Sequence, residues 1–178
     1  MKLFICLFLI TLLISCDEEK IKPSINQSIQ NSRLPAQESW NSTVFFTDSG
    51  KTKAILYAGH LQVFEDTKET LMNEGIKVDF YNEQQIKSTT LTSKRGRVDE
   101  TTNNLYAIDS VVAVNDSGVV LTSEEIIWRN KDRKIITDKF VTIESPDEII
   151  QGYGFESDQQ LKNYVIYNIT YITRTKKE

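Results

Sequence analysis

The side chains that could do acid–base or nucleophilic chemistry are few and poorly spaced for it. His60 is the single histidine in 178 residues, so neither a histidine-based triad nor a multi-histidine metal centre can be assembled. Glu65-Asp66 and Glu124-Glu125 are adjacent acidic pairs. Neighbours in a strand point to opposite faces, so such pairs read as turns or solvated faces, not as a joint acid–base device. Gly152-Tyr153-Gly154 has no helix after it and is no phosphate loop; it reads as a close strand approach or a bulge. The two cysteines, Cys6 and Cys16, both lie near the N-terminus and leave no nucleophilic thiol in the body of the chain. These residues predict no enzyme, no metal and no cofactor. The formal net charge of −4, with no basic stripe, argues against a nucleic-acid partner. Lys94-Arg95-Gly96-Arg97 and Arg174-Thr175-Lys176-Lys177 read as solvated surface.

The elements around these residues are strands. Leu91-Thr92-Ser93 returns as Leu121-Thr122-Ser123, about thirty residues on. At the same offset Val98 matches Trp128, Leu105 matches Ile135, Ala107 matches Thr137, Val111 matches Val141, Ala113 matches Ile143 and Val120 matches Ile150. A fixed period of this size marks a repeated structural unit. Turn-forming clusters separate the matched positions: 99–104, 115–118 and 130–133. Each unit therefore reads as strand, turn, strand, turn. Elsewhere, Val44-Phe45-Phe46 is a short strand and Lys53 to Phe64 a long one. Gly75 to Tyr81 alternates cleanly, with Ile76, Val78 and Phe80 on one face and Lys77, Asp79 and Tyr81 on the solvent face. Ile86 to Thr92 and Leu161 to Ile172 complete the set, and Leu71-Met72-Asn73-Glu74 is at most one helical turn. Nine or ten strands in order, with no strand–helix–strand unit, predict an all-β barrel, sandwich or jelly roll without substantial helix. Several strands, such as Leu105 to Val114, are apolar on both parities. That pattern fits a second packed layer and a groove for an apolar ligand equally well.

The N-terminus predicts export. Met1-Lys2 precedes an apolar run, Leu3 to Ile14, that is too short for a membrane span, which needs roughly 17–25 residues. It ends in Leu13-Ile14-Ser15-Cys16, which resembles the lipobox of bacterial lipoprotein signal peptides. That resemblance implies cleavage before Cys16 and a diacylglycerol on its thiol. The expected organisation is a signal peptide over 1–15, a lipidated flexible tether over 16–39 and a folded domain over 40–178. A coil of about two dozen residues reaches roughly 25–30 Å r.m.s., enough to hold a domain near a membrane.

The ordered series of motifs resembles the LptC family, the periplasmic subunit of lipopolysaccharide export, within the OstA-like group. The motifs are Leu61-Gln62-Val63-Phe64, Gly75 to Tyr81, a turn at Gly96-Arg97-Val98-Asp99, Leu121 to Trp128, Ile135 to Val141 and Ile150 to Asp158. The resemblance spans about Val44 to Ile172. It implies an antiparallel β-jelly roll open at both ends, with the acyl chains of lipid A lying between its two sheets. One edge would receive lipopolysaccharide from an inner-membrane ABC transporter. The other would stack edge to edge with an OstA-like periplasmic bridge protein. The expected place is the periplasm, lipid-anchored to the inner membrane, with outer-membrane sorting left open. Alternation and motif position nominate Ile76, Val78, Phe80, Ile126, Trp128, Phe140, Tyr153 and Phe155 as the groove. The rival expectation is a structural or adhesive lipoprotein, surface or periplasmic, with a filled β-sandwich core.

Overall fold

Period-two alternation and turn chemistry divide the chain into ten strands, with no helix among the described residues. A computed structural model describes residues 33–174; the signal peptide, Cys16 and most of the expected tether lie outside them. The strands are β1 (Gln37–Asp48), β2 (Lys51–Phe64), β3 (Glu69–Tyr81), β4 (Lys87–Ser93), β5 (Arg95–Asp99), β6 (Asn104–Asn115), β7 (Val120–Arg129), β8 (Lys134–Glu144), β9 (Glu148–Asp158) and β10 (Tyr164–Arg174). All pair antiparallel in one sheet of order β1-β2-β3-β4-β6-β7-β8-β9-β10, with β5 also between β3 and β6. Strands β4 and β5 share both neighbours, so they are one strand interrupted at Lys94. Short turns explain the simple meander. At β6–β7, for example, the Asn115 side-chain oxygen accepts from the backbone N–H of both Ser117 and Val119.

A single crease runs across this sheet. Asn41 in β1 has φ 52° and lies opposite Gly59, between the pairs Trp40–His60 and Ser42–Ala58. Glu74 and Gly75 follow with φ 61° and 87°, then the Lys94 break, then Asp109 and Ser110 with φ 65° and 53°. Gly75 N–H donates to the Lys94 carbonyl at 3.0 Å and Lys94 N–H to the Asp109 carbonyl at 3.1 Å, so the irregularities are hydrogen-bonded to one another. The line continues through register shifts at 123–127 in β7 and 137–140 in β8 to Gly154 in β9. Bulges bend and twist a strand; aligned in this way they fold the whole sheet. Gly59 is needed at the crease because a Cβ there would lie 2.5 Å from the Glu74 carbonyl oxygen.

The crease divides each strand into two halves, and the halves form two leaves that face one another. One leaf ends in the turns at 65–68, 100–103, 130–133 and 159–163; the other ends in those at 49–50, 82–86, 116–119 and 145–147. Phe46 and Phe80 of the second leaf meet Trp128 of the first, with ring centroids 5.3 and 5.5 Å apart. Leu56, Leu91, Leu121 and Ile143 face Met72, Leu105, Ile135 and Phe155 in one continuous apolar core. Burying each such side chain is worth about 1.5–3 kcal/mol. The result is an open antiparallel β-jelly roll, built from one folded sheet whose end strands, β1 and β10, each have a single neighbour.

Three local expectations are corrected. Leu71-Met72-Asn73-Glu74 is extended within β3, where Leu71 pairs with both Gln62 and Arg97; the crease at Glu74-Gly75 had mimicked a turn. Gly96-Arg97-Val98-Asp99 is strand β5, and the turn follows it. Asp79 stands on the outer face of its leaf yet is buried, because Lys77, Lys87 and Thr90 cover it.

That cover makes Asp79 acid-sensitive. Burial alone would raise its carboxyl. Hydrogen bonds from Thr90 (2.8 Å) and Lys77 (3.1 Å), with the charges of Lys77 and Lys87, outweigh burial and hold it below the ordinary carboxylate value. A depressed folded pKa contributes stability that is present above the unfolded value and lost as pH falls through the folded one. Asp79→Asn is therefore expected to lower stability at pH 7 by about 1–3 kcal/mol. It should also flatten the stability profile below about pH 4, which urea unfolding at a series of pH values measures.

Candidate functional site

The space between the leaves is where the sheet gathers its apolar side chains, so the site is built from that face. Of the eight residues nominated by alternation, six converge there: Ile76, Val78, Phe80, Ile126, Trp128 and Phe155 are all buried. Phe140 and Tyr153 do not. They stand on the outer face, 40% and 51% exposed, and pack against each other at 5.1 Å. The cause for Tyr153 is the extra residue Gly154, with φ 74°, which reverses the alternation between Phe155 and Tyr153. For Phe140 the signal was available: its neighbour Val141 matches Val111 in the repeat, and both are buried inside. Sequence reasoning missed Phe46, Leu56, Leu105, Leu121 and Ile143, although several of these occupy repeat positions.

The middle of this space is packed. Trp128, Phe80, Phe155, Leu56 and Met72 are each under 2% exposed. The inner face opens toward β10. Ile169 and Ile172 lie opposite Gly152 and Ile150, which in turn face Val141 and Ile143. Directly opposed residues share a face, so both isoleucines continue the core surface, yet they are 51% and 52% exposed. The apolar strip thus emerges from the core at a free sheet edge.

At the opposite side a cluster of charges ties the leaves together. Arg133, in the β7–β8 turn of one leaf, pairs with Asp48 at the end of β1 and, at 3.4 Å, with Glu83 in the β3–β4 turn, both in the other leaf. Glu83 also accepts from Lys53 at 2.8 Å and Lys51 at 3.5 Å. The Lys53 hydrogen bond and charge hold the Glu83 carboxyl below its ordinary range. A cleft of about 550 Å³ lies here, lined by Phe46, Lys53, Asn130 and Arg133 among others. These ion pairs are largely exposed, so each contributes little and is weakened by salt. The latch was invisible in sequence, because residues 48, 83 and 133 are brought together only by the fold.

His60 stacks on Trp40 at 5.0 Å, with its Nε2 2.6 Å from the Glu38 carboxylate, on the outer surface. Among the described residues no group of three or more metal-ligating side chains occurs, and no helix is long and apolar enough to cross a membrane.

The fold is thus an open-edged β-jelly roll whose apolar core surface emerges at the β10 edge. The chain belongs to the lipopolysaccharide-assembly, LptC-related family, whose model matches residues 3–172. It is thus a component of lipopolysaccharide transport, from a family that faces the periplasm and associates with the inner membrane. No curated protein matches the chain.

Proposed function

We propose that this protein is the membrane-anchored periplasmic subunit that accepts lipopolysaccharide from the inner-membrane ABC transporter and passes it to an OstA-like bridge protein. The acyl chains travel between the two leaves. The observation that carries this reading is the apolar inner face that runs from the Phe80–Trp128 centre to half-exposed Ile169 and Ile172 at the β10 edge. Each methylene that leaves water for such a surface gains about 0.8 kcal/mol. Because the centre is packed, cargo enters by parting the leaves, and the weak ion pairs of Arg133 give way first. Strands β1 and β10 each leave one side unpaired, and such edges accept a further strand. One would meet the transporter and the other the bridge protein, making a continuous groove. The acylated Cys16 would hold the domain at the inner membrane. The core is filled, as the rival adhesive-lipoprotein reading required; family membership, not packing, decides against that rival.

A photo-crosslinking residue at Phe80, inside, should capture lipopolysaccharide in cells, whereas one at Lys77, on the exposed outer face, should not. Capture at Lys77 alone would reject the inter-leaf path.

A further inference from the structure

Among the described residues, three buried polar side-chain atoms have no hydrogen-bond partner: Trp128 Nε1, Thr89 Oγ1 and Gln159 Oε1. They are not scattered. All three surround the end of β3 at Phe80-Tyr81. The Trp128 ring lies against Phe80 at 5.5 Å. Thr89 is the residue directly opposite Phe80 on β4, so the two side chains share a face. Gln159 reaches across from the β9–β10 turn of the other leaf, and its Nε2 donates to the Tyr81 carbonyl at 2.8 Å. Trp128 and Thr89 are 1% exposed and Gln159 is 9%.

An unmet buried polar group costs about 1–3 kcal/mol. Three gathered at the end of β3 are a standing cost that a ligand can relieve. Their chemistry says which ligand. The indole N–H only donates, the amide oxygen only accepts, and the threonine hydroxyl does either. A hydroxyl group, which both accepts and donates, satisfies this set. A methylene satisfies none of it, and a lone carbonyl oxygen cannot serve Gln159.

We infer that Trp128, Thr89 and Gln159 form a hydroxyl-reading spot within the inter-leaf path, selecting hydroxylated acyl chains over plain ones. The inference rests on the proposal that acyl chains enter between the leaves and adds to it the position at which their oxygen substituents are read. Trp128 and Thr89 bind directly; Gln159 is held in place by Tyr81.

Titration of the full-length protein with tetradecanoate and with 3-hydroxytetradecanoate tests this. The wild type should bind the hydroxylated chain about tenfold more tightly. Trp128→Phe and Thr89→Val should each reduce that preference. Thr89→Val replaces an unpartnered hydroxyl by a methyl of similar shape. It should raise the Tm of the free protein by about 3 °C, which also shows that the variant folds. The Trp128 indole N–H resonance should move further with the hydroxylated chain than with the plain one. Equal binding of both chains by the wild type, or a preference that survives both substitutions, overturns the hydroxyl spot and leaves the lipid path standing. Failure of both chains to bind overturns both the spot and the path.

Discussion

Trp128→Ala is expected to lower the unfolding free energy by about 3–5 kcal/mol, the largest effect of any single truncation in this chain. Trp128 is 1% exposed and touches aromatic rings from two strands of the facing leaf, Phe46 at 81° and Phe80 at 56°. Within its own leaf Leu105 and Ile135 lie directly beside it. Its Nε1 has no hydrogen-bond partner, so the loss is packing alone. Removing the indole leaves a cavity at the place where the leaves meet, and a folded sheet cannot collapse into it without opening its crease. Since domains of this size are stable by about 5–15 kcal/mol, the loss is a large share of the total. Urea unfolding measures it. Phe45→Ala, at a ring 62% exposed on the outer face, should change stability by less than about 0.5 kcal/mol.

Gly152→Ala is expected to release β10 from the sheet while the rest stays folded. A Cβ at Gly152 would overlap the Asn168 carbonyl oxygen and sit 2.7 Å from Ile166 Cγ2. The first of these is backbone of the edge strand and cannot rotate away. Relief requires β10 to move outward, which breaks its ladder with β9 around the Gly152–Ile169 pair. The cost is about 2–3 kcal/mol, and it falls on an edge strand in which only Ile166 is buried. Amide hydrogen exchange should therefore lose protection in β10 first, with β2 to β8 retained. On the proposed inter-leaf path, whose exposed apolar end lies on β10, the same variant should impair lipopolysaccharide transfer.

Much of the strand pattern was legible because it rests on local rules. The thirty-residue echo is physical: Val98 and Trp128, Leu105 and Ile135, Val111 and Val141 all point into the same core. Its two copies are β4 to β6 and β7 to β8, with the bent strand β4–β5 matching the bulged β7 and β6 matching β8. What the sequence hid was the crease. Alternation predicts faces only along an unbroken strand, and the crease interrupts the strands here. That is why Tyr153 was placed inside, and why Leu71 to Glu74 looked like a turn. The Arg133 latch and the orphaned polar atoms were also hidden, since each joins residues dozens of positions apart. The groove residues on β3, by contrast, were readable, because Ile76, Val78 and Phe80 lie on one side of the crease and keep strict period two.

The central claim is that cargo passes between leaves that part to admit it. Spin labels at Ser49→Cys and Lys131→Cys, on exposed turns of opposite leaves, report their separation by pulsed dipolar spectroscopy. Lipopolysaccharide should lengthen and broaden the distance distribution between them. Saturating lipopolysaccharide that binds while this distribution stays unchanged would contradict the account.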